Sequence, residues 1–264
     1  MVLLYENPRK GSGKVLPLNK VICGDCLELL KEIPDNSVDL VLTDPPYGIN
    51  FKSNIDTKNR FERIINDNDL SFFEPFIKEA FRILKDNTCL CLFCRFDNYP
   101  SFYNIVKKYG FNIKNCLIWE KNKALGGLGD MESSFLNNYE FILFAMKGRN
   151  ILFKNRKGRQ FGLIKDSSIS NPLQLVYPTQ KPLNILKKLI DITTKENDIV
   201  LDCFAGSGST LVASKQINRN FIGIDINKKA VKIAEERLKN VPEKLKNWFE
   251  VKEGDHEHRC TRRV

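Results

Sequence analysis

The chain has 264 residues, 42 Lys plus Arg against 32 Asp plus Glu, and a formal charge of +10; 42% of residues are hydrophobic and 28% charged. That length is enough for one large α/β domain with a buried core, and the composition excludes collagen-like and wholly disordered chains. No apolar run reaches the ~18–20 residues that span a bilayer, no basic region leads a long apolar stretch at the N-terminus, and the positive excess favours a polyanionic partner.

From Asn19 onward, short apolar runs alternate with helix-like segments. This is the pattern of a mostly parallel sheet with crossover helices on both faces. The predicted order begins with strand Lys20–Cys23, helix Cys26–Ile33, strand Val38–Thr43, helix Phe72–Leu84, strand Thr88–Cys94 and helix Tyr99–Tyr109. Strands Ile113–Trp119 and Glu140–Lys147 follow, then helix Pro182–Thr194, with its proline at the first helical position, and strand Ile199–Cys203. Helix Ser209–Gln216, strand Asn220–Asp225 and helix Lys228–Lys239 complete the set. The expected fold is therefore a doubly wound, mostly parallel α/β sheet of seven strands. Asn50–Leu70 and Gly148–Tyr177 break the alternation and are long enough to be functional loops or small insertions.

Eight cysteines in a chain this long do not form a disulfide framework, and most lie in apolar stretches as small hydrophobes, which fits a reducing compartment. Cys91 and Cys94 have a C-x-x-C spacing, but on a strand their side chains point to opposite faces, so no metal is expected there. His256, His258 and Cys260 lie in a polar tail with no further sign of a metal site.

Two constellations carry chemistry. In Leu201–Thr210 an apolar strand runs into Phe204-Ala-Gly-Ser-Gly208 and then a helix. Glycines at such a turn allow backbone conformations and close ligand approach that a Cβ blocks. The third glycine of a dinucleotide fingerprint is replaced by Leu211. One crossover later, Phe221–Asp225 ends a strand in a carboxylate, placed to accept both hydroxyls of a ribose. Together they point to an adenosine-containing cofactor. The second constellation is Val38–Gly48, an apolar strand that stops at Asp44-Pro45-Pro46-Tyr47. Two prolines stiffen the turn and fix its carbonyl directions. A carboxylate and a rigid carbonyl can accept both hydrogens of an exocyclic amine, while Tyr47 stacks on the ring that bears it.

Asp44–Tyr47 combined with Phe204–Gly208 resembles the S-adenosylmethionine-dependent amino-methyltransferases of DNA. The order of the two motifs is that of the permuted β group. Other stretches resemble the family in order over residues 19–240: Gly24-Asp25-Cys26 at a strand end, Asn138–Gly148 as the strand beside the target-base pocket, and Tyr177-Pro-Thr-Gln-Lys-Pro182 before the cofactor-side helix. The family usually has histidine where this chain has Tyr177. The resemblance implies methyl transfer to adenine N6 of a flipped base in double-stranded DNA, with Asp44, Pro45, Pro46 and Tyr47 catalytic. The methyl donor would be held by Asp25, Cys26, Asp44, Lys181, Asp202, Phe204, Ala205, Gly206, Ser207, Gly208, Asp225 and Ile226, with no metal. N4-cytosine enzymes usually carry serine in place of Asp44, so the adenine assignment rests on the resemblance. An N4-cytosine enzyme, an RNA or protein-glutamine amino-methyltransferase and an inactive nucleic-acid-binding relative are the alternatives.

In domain terms, residues 19–147 and 177–250 read as one catalytic domain, 148–176 as a target-recognition insertion, and 1–18 with 251–264 as flexible termini. The segment Lys147–Lys165 contains seven Lys or Arg, no acid, and two interleaved phenylalanines. Its position matches the family's recognition region, and Lys154, Arg156, Lys157 and Arg159 are expected to meet DNA phosphates. The family setting implies a cytoplasmic, nucleoid-associated protein of a prokaryote or phage; a homodimer and a cognate restriction endonuclease are candidate further partners that the sequence does not decide.

Overall fold

A computed structural model of the chain describes residues 16–47, 70–121, 135, 138–149, 160, 162–166 and 180–241. The strands are β1 (Lys20–Cys23), β2 (Val38–Thr43), β3 (Leu84–Cys94), β4 (Asn112–Lys121), β5 (Tyr139–Lys147), β6 (Leu163–Asp166), β7 (Ile199–Asp202) and β8 (Asn220–Asp225). The helices are α1 (Cys26–Leu30), α2 (Phe73–Ile83), α3 (Tyr99–Lys108), α4 (Leu183–Thr193), α5 (Ser209–Gln216) and α6 (Lys228–Lys239). One sheet joins the strands in the order β1-β8-β7-β2-β3-β5-β4-β6. Only β5 runs against the others, between β3 and β4.

The sheet has eight strands where seven were expected. The extra one, β6, falls inside the segment expected as an insertion and pairs in parallel with β4 through Ile118↔Leu163 and Trp119↔Ile164. Its four residues, two of them charged or polar, leave too short an apolar pattern to read locally. Pro182 is also displaced from its expected place. With φ −62° and ψ 136° it stands just outside α4 as the N-cap.

Both faces of the sheet are covered, so every residue of β2 is buried and the runs Leu40–Leu42 of β2 and Cys89–Cys94 of β3 are wholly apolar, while the buried Asp39 is paired with Lys85 at 2.8 Å. On one face α1, α2 and α3 bury Leu30, Phe73, Phe76, Ile77 and Phe102 against Val41, Leu90 and Ile222. On the other, α4 lays Ile185, Leu186, Leu189 and Ile190 on Leu40, Leu42, Cys91 and Phe93. Cys91 and Cys94 thus belong to opposite cores, as strand parity requires.

Strand order places the site. The chain leaves β2 toward β3 on one side and leaves β7 toward β8 on the other, yet β2 and β7 are neighbours, paired through Leu40↔Val200 and Val41↔Leu201. A crevice at the carboxyl ends of two strands whose connections diverge is where open α/β sheets bind ligands. Asp44 leaves β2 at that edge, and the Phe204–Gly208 loop leaves β7 beside it. Because β5 is antiparallel, its first residues, Tyr139 and Glu140, reach the same edge.

Candidate active site

The glycine-loop half of the crevice is tied together by carboxylates and backbone amides. Asp202, at the end of β7, is 4% exposed and accepts the Thr43 hydroxyl at 2.6 Å and the Phe204 N–H at 3.1 Å. This ties the ends of β7 and β2 beneath the crevice. Burial pushes its carboxyl up to about 6, against the opposing hydrogen bonds from Thr43 and Thr210. Asp225 accepts the Gly206 N–H at 2.7 Å and the Asn227 N–H at 2.8 Å, fixing the loop to the end of β8. Burial also raises its pKa. Gly206 and Gly208 have φ of 50° and 76°, the left-handed region that suits glycine. A Cβ at Gly208 would lie 2.7 Å from Ala234 Cβ, so the packing of α6 also requires glycine there.

From α6, Arg237 donates to the Ser207 carbonyl at 2.6 Å, to Ser207 Oγ at 2.8 Å and to Ser209 Oγ at 3.1 Å. The guanidinium therefore braces the loop from behind. Ser207 and Ala205 are buried, and the Phe204 ring meets Phe72 and Phe76 edge-on at 5.3 Å. The pairing Cys23↔Asp225 brings the end of β1 alongside. There Asp25, exposed, caps α1 by accepting the Leu27 N–H at 2.9 Å. Cys26 is buried behind it, and desolvation raises its thiol to about 12. Ile226 is apolar and 47% exposed next to Asp225.

The second half is an array of charges around Asp44. Its Oδ1 accepts the Tyr47 hydroxyl and its Oδ2 accepts Lys181 Nζ. Lys181 Nζ also lies 3.2 Å from Glu140 Oε2, and Lys121 Nζ lies 2.6 Å from Glu140 Oε1. Two acids and two lysines, all at least four-fifths buried except Asp44 at 21% side-chain exposure, form a neutral quartet. The Phe93 ring faces Lys181 Nζ at 5.0 Å. Asn98, ahead of α3, donates to the Tyr47 carbonyl at 3.1 Å and steadies the turn.

Burial raises the Asp44 pKa above the ordinary carboxylate value; Lys181 opposes this and Glu140 adds to it. For Glu140 burial also acts upward, but Lys181 and Lys121 outweigh it and hold the carboxyl below its usual value. The proton affinity of the pair is thus skewed toward Asp44.

Asp25, Phe204, Gly206, Asp225 and Ile226 gather on one side of the crevice, and Asp44 and Tyr47 on the other. Lys181, expected with the methyl donor, pairs with Asp44 and Glu140. Lys154, Arg156, Lys157, Arg159, Tyr177 and the C-terminal His and Cys residues lie outside the described residues. Sequence reasoning passed over Glu140, Lys121, Asn98 and Arg237. Glu140 had one local sign: it is the only acid in the apolar run Tyr139–Met146.

The family model for DNA methylases matches residues 38–236. The type II methyltransferase M2.MboI of Moraxella bovis is 30% identical over 249 residues, covering 87% of this chain and 90% of the relative. The crystal structure of the M1.HpyAVI–SAM complex superposes with a TM-score of 0.66 at 29% identity, over 83% of this chain and 98% of that one. The cytosine-N4-specific PvuII DNA methyltransferase shares the fold, with a TM-score of 0.68 at 18% identity over 84% of this chain and 88% of that one.

Proposed function

The chain belongs to the DNA methylase family, and on that premise we propose that it methylates the N6 amine of an adenine flipped out of duplex DNA, with S-adenosylmethionine as donor. One observation carries this reading: the Asp44 carboxylate stands at the carboxyl end of β2, one strand from a glycine loop fastened to Asp225. The donor assignment is supported by M1.HpyAVI, crystallised with SAM. The residues of the crevice fit such a donor. Asp225 keeps lone pairs for ribose hydroxyls, exposed Ile226 offers an apolar face, and exposed Asp25 is a second acceptor. When bound, S-adenosylmethionine supplies a methyl group on a sulfonium centre, which departs as a neutral thioether.

Adenine N6 is a weak nucleophile because its lone pair is delocalised into the ring. Hydrogen bonds from N6 to Asp44 and to the Pro45 carbonyl favour localising that pair and aim it along the line of displacement. Alignment of this kind is worth up to about 7–11 kcal/mol in well-oriented systems. As the N–C bond forms, the nitrogen becomes acidic and its proton leaves along the hydrogen bond to Asp44. No strong base is needed beforehand. Tyr47 supplies the stacking face, so its hydroxyl must release Asp44 Oδ1 as the base enters. The basic residues Lys154, Arg156, Lys157 and Arg159 are assigned to DNA phosphates.

The preference for adenine rests on Asp44, since N4-cytosine enzymes usually carry serine there. The test is direct: methylate DNA with labelled donor, digest it to nucleosides and separate them by mass. N6-methyl-2′-deoxyadenosine as the labelled product is expected. N4-methyl-2′-deoxycytidine would overturn the adenine assignment, and label only in RNA or protein would overturn the DNA reading.

A further inference from the structure

Lys181 is a costly residue to keep where it is. Its side chain is 12% exposed, it lies over the Phe93 ring, and its one strong hydrogen bond goes to the carboxylate assigned to the target amine. Neutralising Glu140 does not explain it, because Lys121 already sits 2.6 Å from that carboxylate. Glu140 instead forms a second ion pair with Lys181, its Oε2 3.2 Å from Nζ, so the ammonium lies between two carboxylates with its hydrogen bond directed to Asp44. The result is a fixed acceptor next to a fixed donor, one hydrogen bond apart.

That pair has the polarity of one particular ring edge. In adenine and cytosine the exocyclic amine, a donor, is bonded to a carbon whose neighbour is a ring nitrogen with a free lone pair. In guanine and thymine the corresponding edge has a carbonyl beside a ring N–H. We propose that Lys181 is a specificity residue that donates a hydrogen bond to the ring nitrogen next to the target amine while Asp44 accepts from the amine itself. This inference rests on the amine-methylation reading above and names how that site chooses its base.

An ammonium has three N–H donors and no acceptor, so it opposes a ring N–H and leaves a desolvated donor unmet when guanine or thymine enters. Lys181 cannot escape by losing its proton. Burial alone would lower its pKa, but Asp44 and Glu140 outweigh this and hold it above the ordinary lysine value. Because donation to the ring nitrogen draws density away from the amine, the contact serves recognition and not activation of the nucleophile. Flipped bases are read along this edge in enzymes that work on extruded nucleotides.

The experiment uses the full-length enzyme and a short duplex containing its site, after nucleoside analysis has identified the methylated base. At that base, 1-deazaadenine replaces adenine, exchanging the ring nitrogen for C–H and keeping the amine. The wild type should lose about 10- to 100-fold in kcat/KM, the worth of a hydrogen bond to a charged group. The Lys181→Met variant should be slower on adenine and should show little further loss on the analogue. The analogue also weakens base pairing, but equally for both enzymes, so the ratio of the two ratios isolates the contact. Lys181→Arg, which keeps a donor, should retain a penalty. Equal kcat/KM of the wild type on adenine and 1-deazaadenine would overturn the proposal, and this needs no variant to fold. An equal penalty in wild type and Lys181→Met would overturn it too, by moving the contact to another group. If the methylated base is cytosine, 3-deazacytosine takes the analogue's place and the adenine reading alone fails. If no DNA amine is methylated, both fall together.

Discussion

Asp202 links the chemistry of the crevice to the stability of the fold. Its carboxyl is buried between β7 and β2 with a pKa of about 6, against 3.8 for an exposed aspartate. Between these values the folded protein holds a proton that the unfolded chain releases. Stability therefore falls as pH rises through this window, and the full loss is present above pH 6. At about 1.36 kcal/mol per pH unit, a difference of 2.2 units amounts to roughly 3 kcal/mol. The Asp202→Asn variant keeps an oxygen to accept from the Thr43 hydroxyl and the Phe204 N–H but has nothing to ionise. Urea unfolding of both proteins from pH 4 to pH 7.5 isolates the effect, since every other titrating group is common to the pair. The variant's stability minus that of the wild type should grow by roughly 2 kcal/mol from pH 4 to pH 6.5, most of the full difference, and then level off. A difference that stays flat across the range would refute the argument and show that Asp202 is ionised at no cost.

The remaining predictions concern the reaction. Asp44→Ala should abolish methyl transfer while calorimetry shows donor affinity changed little; loss of donor binding and fold together would make Asp44 structural. In the wild type, methylation should decline as pH falls through the Asp44 pKa, which burial holds above the ordinary carboxylate value, because the protonated acid loses an acceptor. Asp225→Ala should weaken donor binding by about 1.5–3 kcal/mol, or roughly 10- to 150-fold, as measured by calorimetry; unchanged affinity would place the ribose elsewhere. Replacing Lys154, Arg156, Lys157 and Arg159 together by alanine should reduce the magnitude of the log–log salt slope of DNA binding by roughly 3–4. A slope that overlays the parent would remove this segment from phosphate contact.

Much of this protein is determined by its sequence alone. Where a strand is buried on both faces its central run is apolar, Leu40–Leu42 in β2 and Cys89–Cys94 in β3, so an acid that follows such a run stands out: Asp44 after Thr43, and Asp225 at the end of β8. Helices advertise themselves by periodicity and caps, and Ser209–Gln216 and Lys228–Lys239 have the limits their sequence predicts. These signals are local, arising between residues a few positions apart. The charge quartet is not local. Lys181 is 137 residues from Asp44, and nothing near either one says that they meet. Their meeting depends on strand order, which sets β2 beside β7 and β3, and on the reversal of β5, which turns the start of that strand, and hence Glu140, to the catalytic edge. Had β5 run parallel, Glu140 would lie at the opposite edge of the sheet with the same sequence and the same apolar pattern. Strand direction leaves no mark on a pattern of period two, so only the tertiary structure could decide which charges share the site with Asp44.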